Sequence, residues 1–213
     1  MLFKEVIEIY IERKEWFLEL ILQHITLATI SIAFAGIIGL LIGISIAKHE
    51  LFSTLILGIV NVFYTIPSIS LLGMLIPFLG IGNNTAIAAL TIYGIMPMIR
   101  NTYAGIRSVP EDVIMAARGV GSTNFQIMTR IKLPLAAGVI IAGVRNMVVM
   151  TLSMTAIASF IGAGGLGVAI YRGITTYNMA LTFGGSVLIA LLALTSDLLL
   201  GRLEKKIKKR SGN

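Results

Sequence analysis

The feature that most constrains this chain is a series of apolar runs, each close to the length that crosses a bilayer. A helix of about 20 apolar residues spans the hydrocarbon core of a membrane. The 213 residues are 56% hydrophobic and only 13% charged, whereas a soluble domain of this size carries about 25% charge. The sequence therefore predicts an all-α membrane protein that crosses the bilayer several times.

Five runs are candidates for membrane spans. They cover residues 25–47, 51–79, 85–98, 134–160 and 179–200, with the third interrupted near its end by Pro97. Residues 1–22 mix apolar and charged positions and predict an interfacial amphipathic helix, with a frayed polar tail as the alternative. The predicted organisation is this N-terminal segment, a transmembrane domain at 23–203 with a polar central loop at 107–133, and a basic tail at 204–213.

The basic residues predict how the chain is oriented. With five spans, the side that holds the central loop and the tail carries twelve Lys and Arg, and the other side carries four. Short cytoplasmic loops are enriched in Lys and Arg. The count predicts an external N-terminus and a cytoplasmic loop and tail, with the tail lying against anionic headgroups. The net charge of +7 therefore indicates topology and not nucleic-acid binding.

The second run contains a break that predicts a translocation pathway. Pro67 and Pro77 lie within residues 51–79, and proline removes a backbone donor and kinks a helix. Such a break is tolerated at membrane depth only where protein or a water-filled cavity satisfies the backbone. The polar residues around it are Asn61, Tyr64, Thr65 and Ser68. Two interpretations of these residues fit the sequence equally well: they line a pathway, or they belong to a kinked structural helix whose hydroxyls bond back to the chain.

Two charged residues lie inside predicted spans. Arg145 stands 11 residues into the fourth span, which is about 16 Å along a helix. A charge at that depth faces the protein interior and needs a partner. Asp197, in the fifth span, is the carboxylate within a span that can supply one, so we predict an Arg145–Asp197 ion pair. Bonding of Arg145 to backbone carbonyls near the broken second span is the alternative.

Several chemistries find no support in the sequence. There is no cysteine, and His24 and His49 do not form a metal-binding cluster. No P-loop motif occurs, so ATP hydrolysis is expected in another subunit. Residues 162–167 match G-x-G-x-x-G but lack the acidic residue that a dinucleotide site needs. We interpret them as a flexible hinge or a surface that touches a partner.

The central loop carries a specific motif. Met115, Ala116 and Ala117 are followed after three residues by Gly121, and after nine more by Ile131-Lys-Leu133-Pro134. This spacing resembles the E-A-A loop of the permease subunits of type I ABC importers, with Met115 in place of the family's glutamate. Glu111, one helical turn earlier, is the candidate replacement. The loop is predicted to form two short helices, residues 113–118 and 123–130, turned by Gly119 and Gly121.

The resemblance extends beyond the loop. The stretches AARGVGSTNFQIMTRIKLPLAAGVIIAGVRNMVVMT, IASFIGAGGLGVAIYRGI and YTIPSISLLGMLIP are similar to permeases of glycine betaine, carnitine and choline importers. The resemblance implies a five-helix, MetI-like permease in the cytoplasmic membrane of a prokaryote, paired with a second copy or a sister subunit. It also implies cytoplasmic ABC ATPase subunits that bind ATP and Mg²⁺, and an extracytoplasmic substrate-binding protein. The chain itself is expected to bind no cofactor and to have no catalytic residue.

Two sets of candidate site residues follow, the first from the resemblance of the loop and the second from the break in the second span and the aromatic residues that the expected cargo favours. Those of the ATPase-coupling loop are Glu111, Met115, Ala116, Ala117, Gly121, Ile131, Leu133 and Pro134. Those of the pathway are Asn61, Phe63, Tyr64, Pro67, Ser68 and Tyr93. Aromatic faces attract a quaternary ammonium group, although simple packing between helices is the alternative for each ring. The alternative cargoes are methionine, another amino acid or ergothioneine. An ATP-independent secondary transporter is disfavoured because such carriers need more intramembrane carboxylates or inverted repeats.

Overall fold

The structure is a computed structural model that describes residues 2–48 and 50–210, and within those ranges it is helical with no strand. Its α-helices are α1 Leu2–Glu12, α2 Lys14–Ile46, α3 Glu50–Thr65, α4 Ser68–Leu79, α5 Asn83–Arg107, α6 Glu111–Gly119, α7 Asn124–Ile127, α8 Leu133–Thr155, α9 Gly167–Thr175 and α10 Met179–Arg210. A π-helix, Met128–Lys132, joins α7 to α8, and a 3₁₀-helix, Ala156–Ile161, follows α8. Met1, His49 and residues 211–213 of the predicted tail lie outside the described residues.

Helix α5 is the centre of the bundle and packs against α2 on one side and α8 on the other. Small residues bring these helices close. A Cβ added at Gly39 or Gly43 of α2 would lie 2.7 Å from the Met98 Cβ or 2.6 Å from the Thr102 Cβ of α5. The small-residue spacing in the first span therefore serves packing within one chain.

The described residues hold three stretches long and apolar enough to cross a membrane: Lys14–Ile46, Asn124–Ile161 and Met179–Lys209. Helices α3 and α4 together form a fourth, broken candidate. Helix α5 has 25 residues but is enclosed by its neighbours, and an enclosed helix does not need a lipid-facing apolar surface. The chain is a multi-pass membrane protein, and the count of five spans stays a prediction.

The predicted break at Pro67 is confirmed. Helix α3 ends at Thr65, α4 begins at Ser68, and the pair bends by 97°. The predicted interruption at Pro97 is wrong, because α5 continues through it to Arg107. Packing of α2 and α8 on both sides of α5 holds the helix together, and the Asn101 side-chain amide donates to the Pro97 carbonyl over 2.8 Å.

Three boundaries differ from those predicted. Helix α2 begins at Lys14, ahead of the predicted interfacial boundary, because Phe17 and Leu20 are buried against α9 and α10. The stretch 161–178, between the predicted fourth and fifth spans, contains helix α9. Helix α10 continues to Arg210 and takes in most of the predicted tail, because residues 201–210 lack Gly after position 201 and Pro throughout.

The glycine-rich segment at 162–167, beyond the end of α8 that is remote from the central loop, is a tightly packed turn. A Cβ added at Gly167 would lie 2.0 Å from the Ala156 carbonyl oxygen, and one at Gly164 would lie 2.3 Å from Gln23 Oε1. The backbone N–H of Gly165 donates to that same oxygen over 3.0 Å. The hinge interpretation is therefore wrong: these glycines permit close contact between α2, α9 and the end of α8.

The substitution Gly167→Ala is expected to lower the melting temperature of the purified protein by about 5 °C or more, because backbone atoms must move to admit the methyl group. Gly58→Ala is the matched control, since a Cβ there meets nothing within 4 Å. Thermal unfolding in detergent checks both variants. Equal stability of the two would contradict the close-packing account of the turn.

Candidate functional site

The central loop is a compact unit at one end of the bundle. Its first helix, α6, begins with Glu111 and Asp112, and negative charges in the first turn stabilise a helix by interacting with its dipole. Ile114 and Ala117 of α6 are 2% and 8% exposed and pack against Val109 and Ile127. The loop thus has a small apolar core of its own, which Ile131 and, at the start of α8, Leu135 extend.

Gly121 ends α6 in a left-handed conformation, with φ of +82°. The Gly121 N–H donates to the Arg118 carbonyl over 2.9 Å, and the Ser122 N–H donates to the Ala117 carbonyl over 3.0 Å. This pair of bonds is the Schellman helix end, which favours glycine at the left-handed position. Gly119 lies inside α6, so Gly121 alone makes the predicted turn. Glycine is needed for its backbone conformation and not for its small size, since a Cβ at 121 meets nothing within 4 Å.

The loop exposes several apolar side chains, which together we call the coupling surface. Its members are Val113, Met115, Ala116, Val120 and Phe125. Met115 is 58% exposed and Val120 is 83% exposed. Glu111 is also exposed, four residues before Met115, so both lie on one side of α6. Exposed apolar side chains on a helix with a packed opposite side, at the polar end of a membrane protein, are typical of a contact site for a partner.

The loop passes directly into the membrane domain. The Thr123 side chain caps α7 by accepting from the Gln126 N–H, and the Gln126 side chain accepts from the Thr123 N–H. The π-helix follows, with the Leu133 N–H donating to the Met128 carbonyl. Pro134, in the first turn of α8, has no N–H to give, and a widened turn relieves the contact between its ring and the preceding turn. Helices α7 and α8 are thereby one continuous rod.

Two hydroxyl groups near the break bond to backbone carbonyls. Tyr93 is buried, and its hydroxyl donates to the Ile66 carbonyl next to Pro67, which satisfies the broken backbone. The Thr65 hydroxyl donates to the Val62 carbonyl over 2.7 Å within its own helix. These two residues follow the structural alternative, in which hydroxyls bond back to the chain.

Phe63, Tyr64 and Tyr93 line a cavity of about 280 Å³ between α3 and α5. The Tyr64 and Tyr93 rings stand 6.1 Å apart at an angle of 65°, and Phe63 and Tyr64 are each about half exposed. The remaining lining residues are Ile59, Val60, Ile92, Ile95 and Met96, so none of the described lining residues is charged. The cavity offers aromatic faces and no ion pair.

Two predicted pathway residues lie elsewhere. The Asn61 side-chain oxygen accepts a hydrogen bond from Arg100 of α5. Ser68, at the start of α4, lines a much smaller space that Tyr93 also borders. The structure therefore gathers the aromatic candidates around one cavity and leaves the polar candidates outside it.

The predicted pair of Arg145 and Asp197 is present in the structure, and it belongs to a larger network. Arg145 of α8 donates from Nε and Nη2 to the two oxygens of Asp197 of α10, over 2.6 and 2.7 Å. Its Nη1 lies 3.1 Å from Glu204, which in turn accepts from Lys208 Nζ over 2.7 Å. Arg145 and Asp197 are each about one-third exposed, and Glu204 is 12% exposed at its side chain. The network joins α8 to α10 across two turns.

Sequence reasoning missed Glu204 and Lys208 because it placed them in the tail. The signal was their spacing from Asp197, by seven and eleven residues, which puts all three on one face of a continuous helix. Gly201 lies between them on that face, and a Cβ there would come within 3.2 Å of the Arg145 guanidinium carbon. The small residue makes room for the large cation.

Comparison with known proteins agrees with this geometry. Residues 35–209 match the family model described as "Binding-protein-dependent transport system inner membrane component". The chain is 39% identical over 195 residues to the glycine betaine/carnitine/choline transport system permease protein OpuCD of Bacillus subtilis, covering 90% of this chain and 85% of the relative. It is 36% identical over 205 residues to the osmoprotectant import permease protein OsmW of Salmonella typhimurium, covering 94% and 95%.

A solved structure agrees as well. A chain of the MetNI methionine ABC transporter in an inward-facing conformation superposes with a TM-score of 0.83 at 26% identity, covering 92% of this chain and 98% of that one. The all-α architecture is thus that of a MetI-like ABC importer permease. The chain belongs to the family of binding-protein-dependent transport system inner membrane components.

Proposed function

We propose that this chain is the transmembrane subunit of an ATP-driven importer for a quaternary ammonium osmoprotectant such as glycine betaine, carnitine or choline. The observation that carries the proposal is the coupling surface, a set of exposed apolar side chains on a loop that has an apolar core of its own. The names of the relatives, which are osmoprotectant, carnitine and choline permeases, support this class of cargo.

The proposal places the chain with the loop and the C-terminal end of α10 in the cytoplasm and the N-terminus outside. The excess of Lys and Arg at the loop end supports this orientation. A cytoplasmic ABC ATPase subunit, which binds ATP and Mg²⁺, docks on the coupling surface. A second permease subunit, either the same chain or a sister, completes the membrane domain. A substrate-binding protein docks at the opposite end.

The proposed mechanism is movement of rigid bodies. ATP-driven closure of the ATPase subunits displaces α6, and the Gly121 turn passes the displacement into the rod formed by α7 and α8. Arg145 ties that rod to α10 through Asp197 and Glu204, so both helices move together. Packed helices have a few discrete arrangements, which suits alternation between inward-open and outward-open states.

The aromatic cavity is the proposed contact for the cation on its way through the membrane. A quaternary ammonium group gains about 0.5 to 2 kcal/mol from each aromatic face that it meets. Tyr64 suits this role because its ring is half exposed and its hydroxyl makes only a long contact, 3.7 Å, with the Met150 sulfur. Weak contacts of this kind guide a substrate without holding it.

The substitution Tyr64→Ala is expected to lower the uptake rate of glycine betaine by roughly 2- to 30-fold, the range that loss of one cation–π contact gives. Tyr64→Phe keeps the aromatic face and is expected to stay within about twofold of the wild type. Radiolabelled uptake at a saturating concentration of binding protein measures both. Ile59→Ala, in the same cavity lining, is the control for lost volume. Equal losses of uptake in Tyr64→Ala, Tyr64→Phe and Ile59→Ala would show that the Tyr64 ring makes no cation–π contact with the substrate.

The experiment that tests the proposed function is uptake into vesicles that contain the reconstituted importer, its binding protein and internal ATP. We expect accumulation of glycine betaine, carnitine or choline, which ceases when the internal ATP is replaced by a non-hydrolysable analogue. Competition with unlabelled methionine and ergothioneine tests the other cargoes. Accumulation that continues without ATP hydrolysis would contradict an ABC importer and would favour a secondary transporter.

A methionine importer is the second candidate. The likeness of the fold to the MetNI methionine ABC transporter favours it. The identity of 26% to that structure lies below the 32–39% shared with the osmoprotectant permeases. The primary ammonium group of methionine has three N–H donors that need acceptors, and the described lining side chains offer only two tyrosine hydroxyls, whereas a quaternary ammonium group has no N–H to satisfy. The quaternary ammonium cargo therefore remains the preferred proposal.

A further inference from the structure

The C-terminal half of α10 has two faces of different charge. Asp197, Glu204 and Lys208 lie on the face that meets Arg145 of α8, where two positive and two negative charges balance. A different face carries Arg202, Lys205, Lys206 and Lys209, all exposed. Within residues 2–48 and 50–210, none of these four has an ion-pair partner. We call this face the basic stripe.

The basic stripe continues an apolar stripe on the same side of the helix. Leu191, Leu194 and Leu198 are 51%, 60% and 60% exposed. Residues spaced by three, four, seven or eleven positions share one face of an α-helix. By that rule Leu191 and Leu198 line up with Arg202, Lys205 and Lys209. One unpartnered face of a single helix thus changes from leucine to cationic side chains.

The position of this change matches the thickness of a bilayer. Helix α10 has 32 residues, which at 1.5 Å per residue is about 48 Å, against a hydrocarbon core of about 30 Å. A helix that enters the core at Met179 leaves it after about 20 residues, close to Leu198. The basic stripe then begins at the level where lipid phosphates lie.

We propose that the basic stripe is a binding surface for the headgroups of anionic phospholipids in the leaflet at the loop end of the bundle. Leu191, Leu194 and Leu198 contact the acyl chains, and Arg202, Lys205, Lys206 and Lys209 contact the phosphates of the same lipids. Assignment of that leaflet as the cytoplasmic one rests on the proposed function. Binding of the lipid does not.

Two observations favour lipid over a protein partner. The stripe is continuous with a leucine face that only the membrane or another helix covers, and it has no aromatic side chain to anchor a protein contact. The acidic residues of α10 are turned to Arg145 and Lys208, so the four charges act on an anion without competition from their own helix. Lysine and arginine near a membrane surface attract anionic lipid.

The test uses the assembled importer in phosphatidylcholine vesicles that carry a small fraction of spin-labelled phosphatidylglycerol or spin-labelled phosphatidylcholine. Electron spin resonance gives the relative association constant of the two lipids for the protein. We expect a preference for phosphatidylglycerol in the wild type. In the variant K205Q/K206Q/K209Q the preference is expected to fall at least about fivefold. The variant K4Q/R13Q/K14Q removes the same charge at the opposite end and is expected to keep the preference.

Each outcome decides the proposal. Loss of the preference in the stripe variant alone supports it. An unchanged preference in that variant, or an equal loss in both variants, overturns it. If the stripe variant keeps its lipid preference but releases the ATPase subunit, the stripe is a protein contact and the proposal is wrong. Because both leaflets contain the probe and no transport is measured, the result is independent of the cargo and of ATP-driven uptake.

Discussion

Replacement of Gly121 by valine is expected to lower ATP-driven uptake at least about tenfold, while replacement by asparagine is expected to preserve most of it. Gly121 has a φ of +82°, which costs an ordinary L-residue about 1 to 2 kcal/mol and a β-branched residue more. A cost of about 1.4 kcal/mol shifts an equilibrium tenfold. Asparagine adopts the left-handed conformation more readily than other non-glycine residues.

The pair of variants separates conformation from size. A Cβ at position 121 meets nothing within 4 Å, so the folded chain accommodates either side chain. Uptake of a labelled substrate, with the amount of protein in the membrane measured in parallel, gives the comparison. If asparagine were as damaging as valine, the left-handed turn would not explain the glycine, and a steric contact with the partner would be the better account.

Removal of the Arg145 charge is expected to have the second large effect. Arg145→Met leaves Asp197 and Glu204 without their shared cation on a partly enclosed helix face. We expect the melting temperature in detergent to fall on the order of 5 °C, with a loss of uptake larger than the loss of protein. Arg145→Lys is expected to lower the melting temperature and uptake nearly as much as Arg145→Met, because a lysine cannot bond both Asp197 oxygens in parallel.

A double-mutant cycle tests whether Arg145 and Asp197 act together. The variant Arg145→Met/Asp197→Asn is expected to be more stable than the sum of its single changes predicts, since no carboxylate at 197 is left unpaired. Thermal unfolding of the four proteins supplies the coupling energy. Additive losses would show that the contact seen in the structure contributes nothing as a pair. Glu204→Gln, which leaves the Asp197 contact intact, is expected to have a smaller effect than Asp197→Asn.

The sequence predicted the features that follow from local rules. The break at Pro67 depends on a missing N–H, and a proline next to polar residues predicts it. The loop helices follow from Gly121 and from the run of small and apolar residues before it. The partner of Arg145 was predictable because a charge at membrane depth needs a partner inside the bundle, and Asp197 is the carboxylate that the structure places there.

Other features depend on contacts that one sequence does not reveal. Pro97 breaks nothing because α2 and α8 enclose α5 at that level. The segment 162–167 resembles a flexible linker in composition, yet Gly164, Gly165 and Gly167 are there because other backbone and side-chain atoms come within contact distance. Glu204 was assigned to a tail because the end of a span is read from hydropathy, whereas α10 continues for as long as helix-forming residues follow.

The measurement that tests the central claim most directly is site-specific photo-crosslinking from the coupling surface. The chain has no cysteine, so a crosslinker attached at Met115→Cys reacts from a single known position on exposed α6. Met179→Cys, 77% exposed at the opposite end of α10, is the matched control. We predict that illumination of native membranes captures an ABC ATPase subunit from position 115 and not from position 179. Capture of the ATPase subunit from position 179, or from neither position while the importer is intact, would contradict the proposed coupling surface.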